Sequence, residues 1–261
     1  MTSYDIINYR INVEKRFKTM ALTVSNVTGG YTQIPVLHQI SFNVKSGELV
    51  GLIGLNGAGK STTINHIIGL LTPFSGTIRV NGISIDDDSQ KYKQQIAYVP
   101  ETPILYPELT LKEHLAITIM AYHLNPKIAW RRARTLLKRF RLANKLNWFP
   151  IDFSKGMKQK VMITCAFLTN AKLFIIDEPF LGLDPLAVHD LLNLINERKR
   201  SGSSILMTTH VLDTAAKVCD RFVLIHQGHI RTEGTLAELE QEYHQDSLTN
   251  VYLSLAKGAR K

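Results

Sequence analysis

At 261 residues with a formal net charge of +9, the chain holds one large domain or two small ones, with ample material for a core. No apolar run approaches the roughly 18 to 20 residues that cross a bilayer, so the chain is expected not to form its own pore. Its two cysteines, Cys165 and Cys219, lie beside apolar neighbours in helical patterns and predict reduced core thiols in cytosol rather than a disulfide framework.

Residues 1–19 lack the apolar centre of a signal peptide and are studded with Arg10, Glu14, Lys15, Arg16 and Lys18. The strand-like run Leu22–Val27 begins just past Met20, so translation is expected to start at Met20 or to add a short accessory extension. Leu22–Val27, Ile40–Val44 and Thr77–Ile85 predict an antiparallel β region, the last run turning at Asn81-Gly82, a tight-hairpin dipeptide. Four further apolar runs, Val50–Ile53, Ile96–Val99, Phe174–Ile176 and Ile205–Met207, predict strands of a mostly parallel core.

After the first of these comes Gly54-Leu55-Asn56-Gly57-Ala58-Gly59-Lys60-Ser61, which matches G-x-x-x-x-G-K-[ST] in full and leads into a helical pattern through Ile64, Ile67, Ile68 and Leu71. Strand, glycine-rich turn and helix start are the context this motif requires. Glycines let the backbone curl its N–H groups inward, the helix N-terminus adds partial positive charge, and Lys60 reaches the terminal phosphates. Ser61 offers a hydroxyl to Mg²⁺, and Thr62 extends the expected nucleotide-binding set.

Between Glu101 and about Pro150 the pattern is helical, with Ala129, Ala133, Leu136, Leu137 and Phe140 on one face. Ser154 precedes a second helical pattern through Val161, Met162, Cys165 and Leu168, which places a helix N-terminus where an anion can bind. The run Leu173–Ile176 ends in Asp177 and Glu178, at the carboxyl end of a strand where ligands of open α/β sheets bind. Mg²⁺ prefers hard oxygen ligands, which suits Asp177, and Glu178 is left as general base for an attacking water. His210 follows the strand Ile205–Met207 and is expected to orient that water and touch the γ-phosphate. A helix to about Cys219 and a hairpin, Phe222–Ile225 with His229–Gly234 around Gln227-Gly228, come next. The acidic stretch Glu238–Glu242 and the basic Lys257, Arg260 and Lys261 are expected to be surface or frayed, giving one domain over 20–240, a helical subdomain at about 101–160 and a tail from 241 to 261.

Tyr31, the phosphate loop, Glu101, Ser154–Gly156, Asp177-Glu178, Leu181–Asp184 and His210 occur in an order and spacing that resemble an ABC-type ATPase domain, over about Ala21 to Gly234. The stretches Glu101–Thr110, Trp148–Pro150 and Ile175–Ala187 look like those of ATP-binding subunits of bacterial Ecs-type transporters. The resemblance implies an α/β fold: a P-loop NTPase with a RecA-like core, an antiparallel β subdomain and an inserted α-helical subdomain. It implies ATP and Mg²⁺ as cofactors, with Ser61, Asp177 and Glu101 on the metal side and Tyr31 stacked on adenine. Ser154 and Gly156 would contact the γ-phosphate held by the other protomer, with Asp184 crossing the same interface. Two such sites require a head-to-tail pair, either a homodimer or paired ATPase subunits. A separate integral membrane permease would bring this cytoplasmic subunit to the inner face of the membrane.

Glu101, Lys155 and Met157 depart from the family pattern. Glu101 stands where the usual glutamine is, keeping an oxygen ligand but losing the amide donor and adding charge. In place of L-S-G-G-Q the chain reads Phe153-Ser154-Lys155-Gly156-Met157, so Lys155 either adds charge near the partner's phosphates or points to solvent. The apolar Pro103, Ile104, Leu105, Tyr106 and Leu109 suggest a partner groove, where the resemblance implies that the permease's coupling helix docks; local packing is the alternative. Lys127, Arg131, Arg132, Arg134, Lys138, Arg139, Arg141 and Lys145 have no acid between them and form a solvated face, an attraction to an anionic leaflet, or a nucleic-acid surface; the last lacks interleaved stacking aromatics. A soluble ABC ATPase acting on nucleic acid or ribosomes is the competing function, disfavoured by the single phosphate loop. The Ser154–Gly156 and Leu181–Asp184 segments disfavour a P-loop small-molecule kinase.

Overall fold

The computed structural model describes residues 20–258, with side chains to Leu255; the expectations for residues 1–19 and for Lys257, Arg260 and Lys261 lie outside what it describes. Strands β1 (Met20–Gly29) and β2 (Leu37–Lys45) pair antiparallel. Strand β3 (Leu49–Ile53), buried at every position, leads through the glycine loop into helix α1 (Lys60–Ile67). Strands β4 (Ser75–Val80) and β5 (Ile83–Ser84) form the hairpin expected at Asn81-Gly82, where both residues take positive φ, +48° and +82°, as a two-residue type I′ turn demands. Helix α2 (Ser89–Gln94), capped by the Asp88 side chain, precedes β6 (Ile96–Val99).

Residues 101–110 are irregular, so the helical stretch expected from Glu101 begins later, at α3 (Leu111–Ala121), where Thr110 and Glu113 form a capping box. Helix α4 (Pro126–Arg139) buries Ala129, Ala133, Leu136 and Leu137, with Phe140 buried just beyond its end. Then follow α5 (Lys155–Leu168), β7 (Leu173–Asp177), α6 (Pro185–Arg200), β8 (Ser204–Thr208), α7 (Leu212–Val218), β9 (Arg221–His226) and β10 (His229–Gly234). The chain closes with α8 (Leu236–Tyr243) and α9 (Leu248–Gly258).

One sheet has the order β2-β1-β4-β5 and is antiparallel; the other has the order β10-β9-β3-β8-β7-β6. In the larger sheet β9, β3, β8, β7 and β6 run parallel, and only β10 is antiparallel. Parallel strands deliver their carboxyl ends to one edge. Register therefore sets Asp177 opposite Thr208, and the glycine loop, Glu101, Glu178 and His210 all emerge at that edge.

One expectation is extended and one is corrected. The hairpin expected from Phe222 to Gly234 is present as β9 with β10, and β9 also pairs with β3 and so joins the core sheet. Residues 241–255 are not a tail, because α8 crosses residue 240 and Leu239, Leu248 and Val251 bury against Ile53, Phe222 and Leu224. A Thr235/Glu238 capping box starts α8, so part of the acidic stretch satisfies a helix end while Leu239 faces the core.

Candidate nucleotide-binding site

A cleft of about 420 Å³ opens at the carboxyl edge of the large sheet, lined by Tyr31, the glycine loop, Lys60, Ser61, Thr62, Glu101, Asp177, Glu178 and His210. The loop lies against β9: a side chain at Gly54 would come within 2.6 Å of the Ile225 carbonyl oxygen. Gly57 holds φ +80°, a conformation most residues avoid. Helix α1 has no acid in its first turn, so its positive end faces the cleft without internal neutralisation. Lys60, 8% exposed, donates from Nζ to the carbonyls of Gly54 at 2.7 Å and Leu55 at 3.2 Å. Burial lowers its pKa, and the charges of Glu178, Asp177 and Glu101 work the other way.

Asp177 ends β7 and is buried, with the Thr208 hydroxyl donating to its Oδ1. Burial raises its pKa above the ordinary carboxylate value; the Thr208 hydrogen bond and Lys60 oppose that, whereas Glu101 and Glu178 add to it. Glu178 adopts a left-handed conformation, φ +46°, held by its N–H donating to the Thr208 carbonyl and hydroxyl, each at 3.2 Å. A non-glycine residue there costs about 1–3 kcal/mol, retained only where surroundings over-determine it. The Glu178 carboxylate accepts from the His210 backbone N–H at 3.1 Å and lies 2.9 Å from His210 Nδ1. Tyr31 is 59% exposed at the cleft, and its hydroxyl accepts from Asn65 Nδ2 at 3.3 Å.

Ser154, Gly156 and Asp184 do not line this cleft. The Ser154 hydroxyl caps α5, accepting from the Met157 N–H at 3.3 Å. A side chain at Gly156 would meet the Gly182 carbonyl oxygen at 2.3 Å, so α5 and the 181–184 loop approach backbone to backbone. Lys155 lays its aliphatic stem along Gly182. Asp184 caps α6 by accepting from Ala187 N–H at 2.8 Å, and its other oxygen accepts from Lys160 Nζ at 2.6 Å, which holds its carboxyl below the usual range.

Two contributors escaped the sequence analysis. Gln159, 1% exposed, donates from Nε2 to the Pro100 carbonyl at 3.2 Å and so ties α5 to the residue before Glu101. Nothing in the helical pattern around it signals that contact. Thr208 organises both acids, and its signal was an apolar strand ending in a hydroxyl two residues before His210. The cysteines have no part here: burial pushes the Cys165 thiol to about 11 and the Cys219 thiol to about 12, leaving both protonated at neutral pH.

Residues 37–181 match the family described as "ABC transporter". The chain belongs to the ABC transporter ATPase family. It is 54% identical over 238 residues to "ABC-type transporter ATP-binding protein EcsA" of Bacillus subtilis (strain 168), across 90% of this chain and 96% of that protein. It is 40% identical over 245 residues to "Uncharacterized ABC transporter ATP-binding protein YthP" of the same organism, across 93% and 99%. Among solved structures, an ATP-binding subunit of an ABC transporter aligns with TM-score 0.88 at 52% identity, over 90% of this chain and 99% of that one. A dimeric ATP-binding cassette bound to ADP and Pi aligns with TM-score 0.74 at 27% identity, over 82% and 98%. As an ABC ATPase and transporter ATP-binding subunit, the chain binds and hydrolyses ATP. Among the described residues no helix is long and apolar enough to cross a membrane.

Proposed function

We propose that two copies of this ABC ATPase, or one copy and a paired ATPase subunit, close head to tail around two Mg-ATP and drive a separate permease of an Ecs-type exporter at the inner face of the membrane. The observation that carries the pairing is a division within one chain. Phosphate loop, acids and His210 share one cleft, whereas Ser154 and Gly156 stand outside it at the start of α5. The resemblance to a cassette solved as a dimer supports the same arrangement.

In the closed pair Tyr31 would stack on adenine, residues 54–62 would cradle the phosphates, and the partner's helix start would add its N–H groups to the γ-phosphate. Lys60 would exchange its two carbonyl acceptors for phosphate oxygens, relieving the cost of its burial. The hard oxygens of Asp177, Ser61 and Glu101 suit Mg²⁺. Among the described residues no group of three or more Asp, Glu, His or Cys is placed to hold a metal ion by itself, so the remaining ligands would come from phosphate and water. Bound Mg²⁺ would neutralise charge on the β- and γ-phosphates. Glu178 would take a proton from the attacking water, held by His210 and by the backbone conformation that Thr208 fixes. Ile104 and Tyr106, 74% and 64% exposed beside Glu101, would receive the permease.

Mixing Lys60→Ala and Ser154→Arg protomers tests the shared site. One composite site stays intact in that mixture, so ATP-dependent association in the mixture but in neither variant alone is expected. Its absence would remove the pairing.

A further inference from the structure

We propose that the solvent face of α4 is an electrostatic contact for an anionic lipid surface, made by Lys127, Arg131, Arg134 and Lys138. All four are exposed, and their spacing sets them in a single row on the side of the helix opposite Ala129, Ala133 and Leu136. Among the described residues no ion pair engages any of them. Their neighbours differ. Arg132 donates to the carbonyls of Leu168 and Thr169 and to Asn170 Oδ1, Arg139 pairs with Glu197, Arg141 pairs with Asp190, and Lys145 lies over the Trp148 ring. The fold therefore uses one set of cations and leaves the row free.

A merely solvated face ordinarily interleaves acids with bases at i, i+3 and i, i+4. This one has like charges at each of those spacings, and residues 114–151 contain no Asp or Glu at all. Lys127 also sits in the first turn, and no acid there balances it, so it opposes the helix dipole. Lys138 in the last turn complements the dipole, but the like-charge spacings weaken the isolated helix and are relieved by an external negative surface. Ile128, 50% exposed, borders the row beside Arg131 and provides an apolar contact at a headgroup boundary. Nucleic acid fits less well, because the one aromatic of α4, Trp130, packs against the core and offers no stacking platform.

The test is sedimentation of the full chain with neutral phosphatidylcholine vesicles and with vesicles containing phosphatidylglycerol. Binding to the anionic vesicles alone, weakening with salt, is expected. Each cation near such a surface contributes about five-fold, so Lys127→Gln/Arg131→Gln/Arg134→Gln/Lys138→Gln should weaken binding by a factor on the order of hundreds. A control with the same charge change at exposed Lys93, Lys172, Lys217 and Arg231 should keep most of the binding. Thermal melts and basal ATPase activity show that both variants fold. Equal binding to neutral vesicles, an unaffected row variant, or an equal loss in the control would each overturn the proposal. So would tighter, row-dependent binding to a single-stranded RNA at the same salt.

Discussion

Replacing Gly156 with Ala separates two reasons for a glycine at the start of α5. The added methyl would lie 2.3 Å from the Gly182 carbonyl oxygen, against an ordinary contact distance of 3.4–4 Å, so α5 and the 181–184 loop must part by about an ångström. Overpacking of this kind costs about 1–3 kcal/mol. It is offset by up to about 1 kcal/mol from removing glycine from a helix. The net expectation is a loss of about 1–2 kcal/mol, which for a domain of this size lowers the melting temperature by about 2–8 °C. Thermal unfolding of nucleotide-free protein followed by circular dichroism measures it, with ATP-dependent association measured in parallel. An unchanged or raised melting temperature would refute the backbone contact. A glycine needed solely for approach to a partner's phosphate would then lose association while keeping stability.

Asp177→Asn is expected to stabilise the empty protein while abolishing ATP hydrolysis. The folded-state pKa of Asp177 is raised above its ordinary 3.8, so wild-type stability from this group falls as pH rises from 3.8 through the raised value. The gain in the Asn variant should accordingly be absent in strong acid, grow through that window and then level off, as urea titrations across pH would show. Glu178→Gln keeps the fold and nucleotide binding but should slow turnover by about 10²–10⁴-fold if Glu178 is the base, checked by phosphate release under saturating ATP. Leu248→Ala should cost about 2–5 kcal/mol in urea unfolding, because Leu248 is 2% exposed in the C-terminal cluster; a change near zero would restore the view of this region as a tail.

Local chemistry explains what was legible. A complete phosphate-loop motif after an apolar strand, an Asn-Gly turn, and an apolar run ending in Asp177-Glu178 each announce their structure within a dozen residues. Pairings between distant segments do not. The β9 run reads as a hairpin strand because its partner β10 is adjacent, whereas its neighbour β3 lies some 170 residues earlier in the chain. Helix α8 was hidden by its charge, since Leu239 is the one side chain of that helix fully buried among the acids.

From the residues alone came the nucleotide, the two acids and the family resemblance, because those depend on residue types held at short, fixed spacing. Tertiary structure decided which groups share a cleft. It placed Glu178 in a left-handed turn under Thr208 and pressed Gly156 against Gly182. It also separated the cations of α4 into those the fold consumes and those it leaves exposed. Each of these depends on the sheet bringing remote strands into register, and no local pattern encodes that.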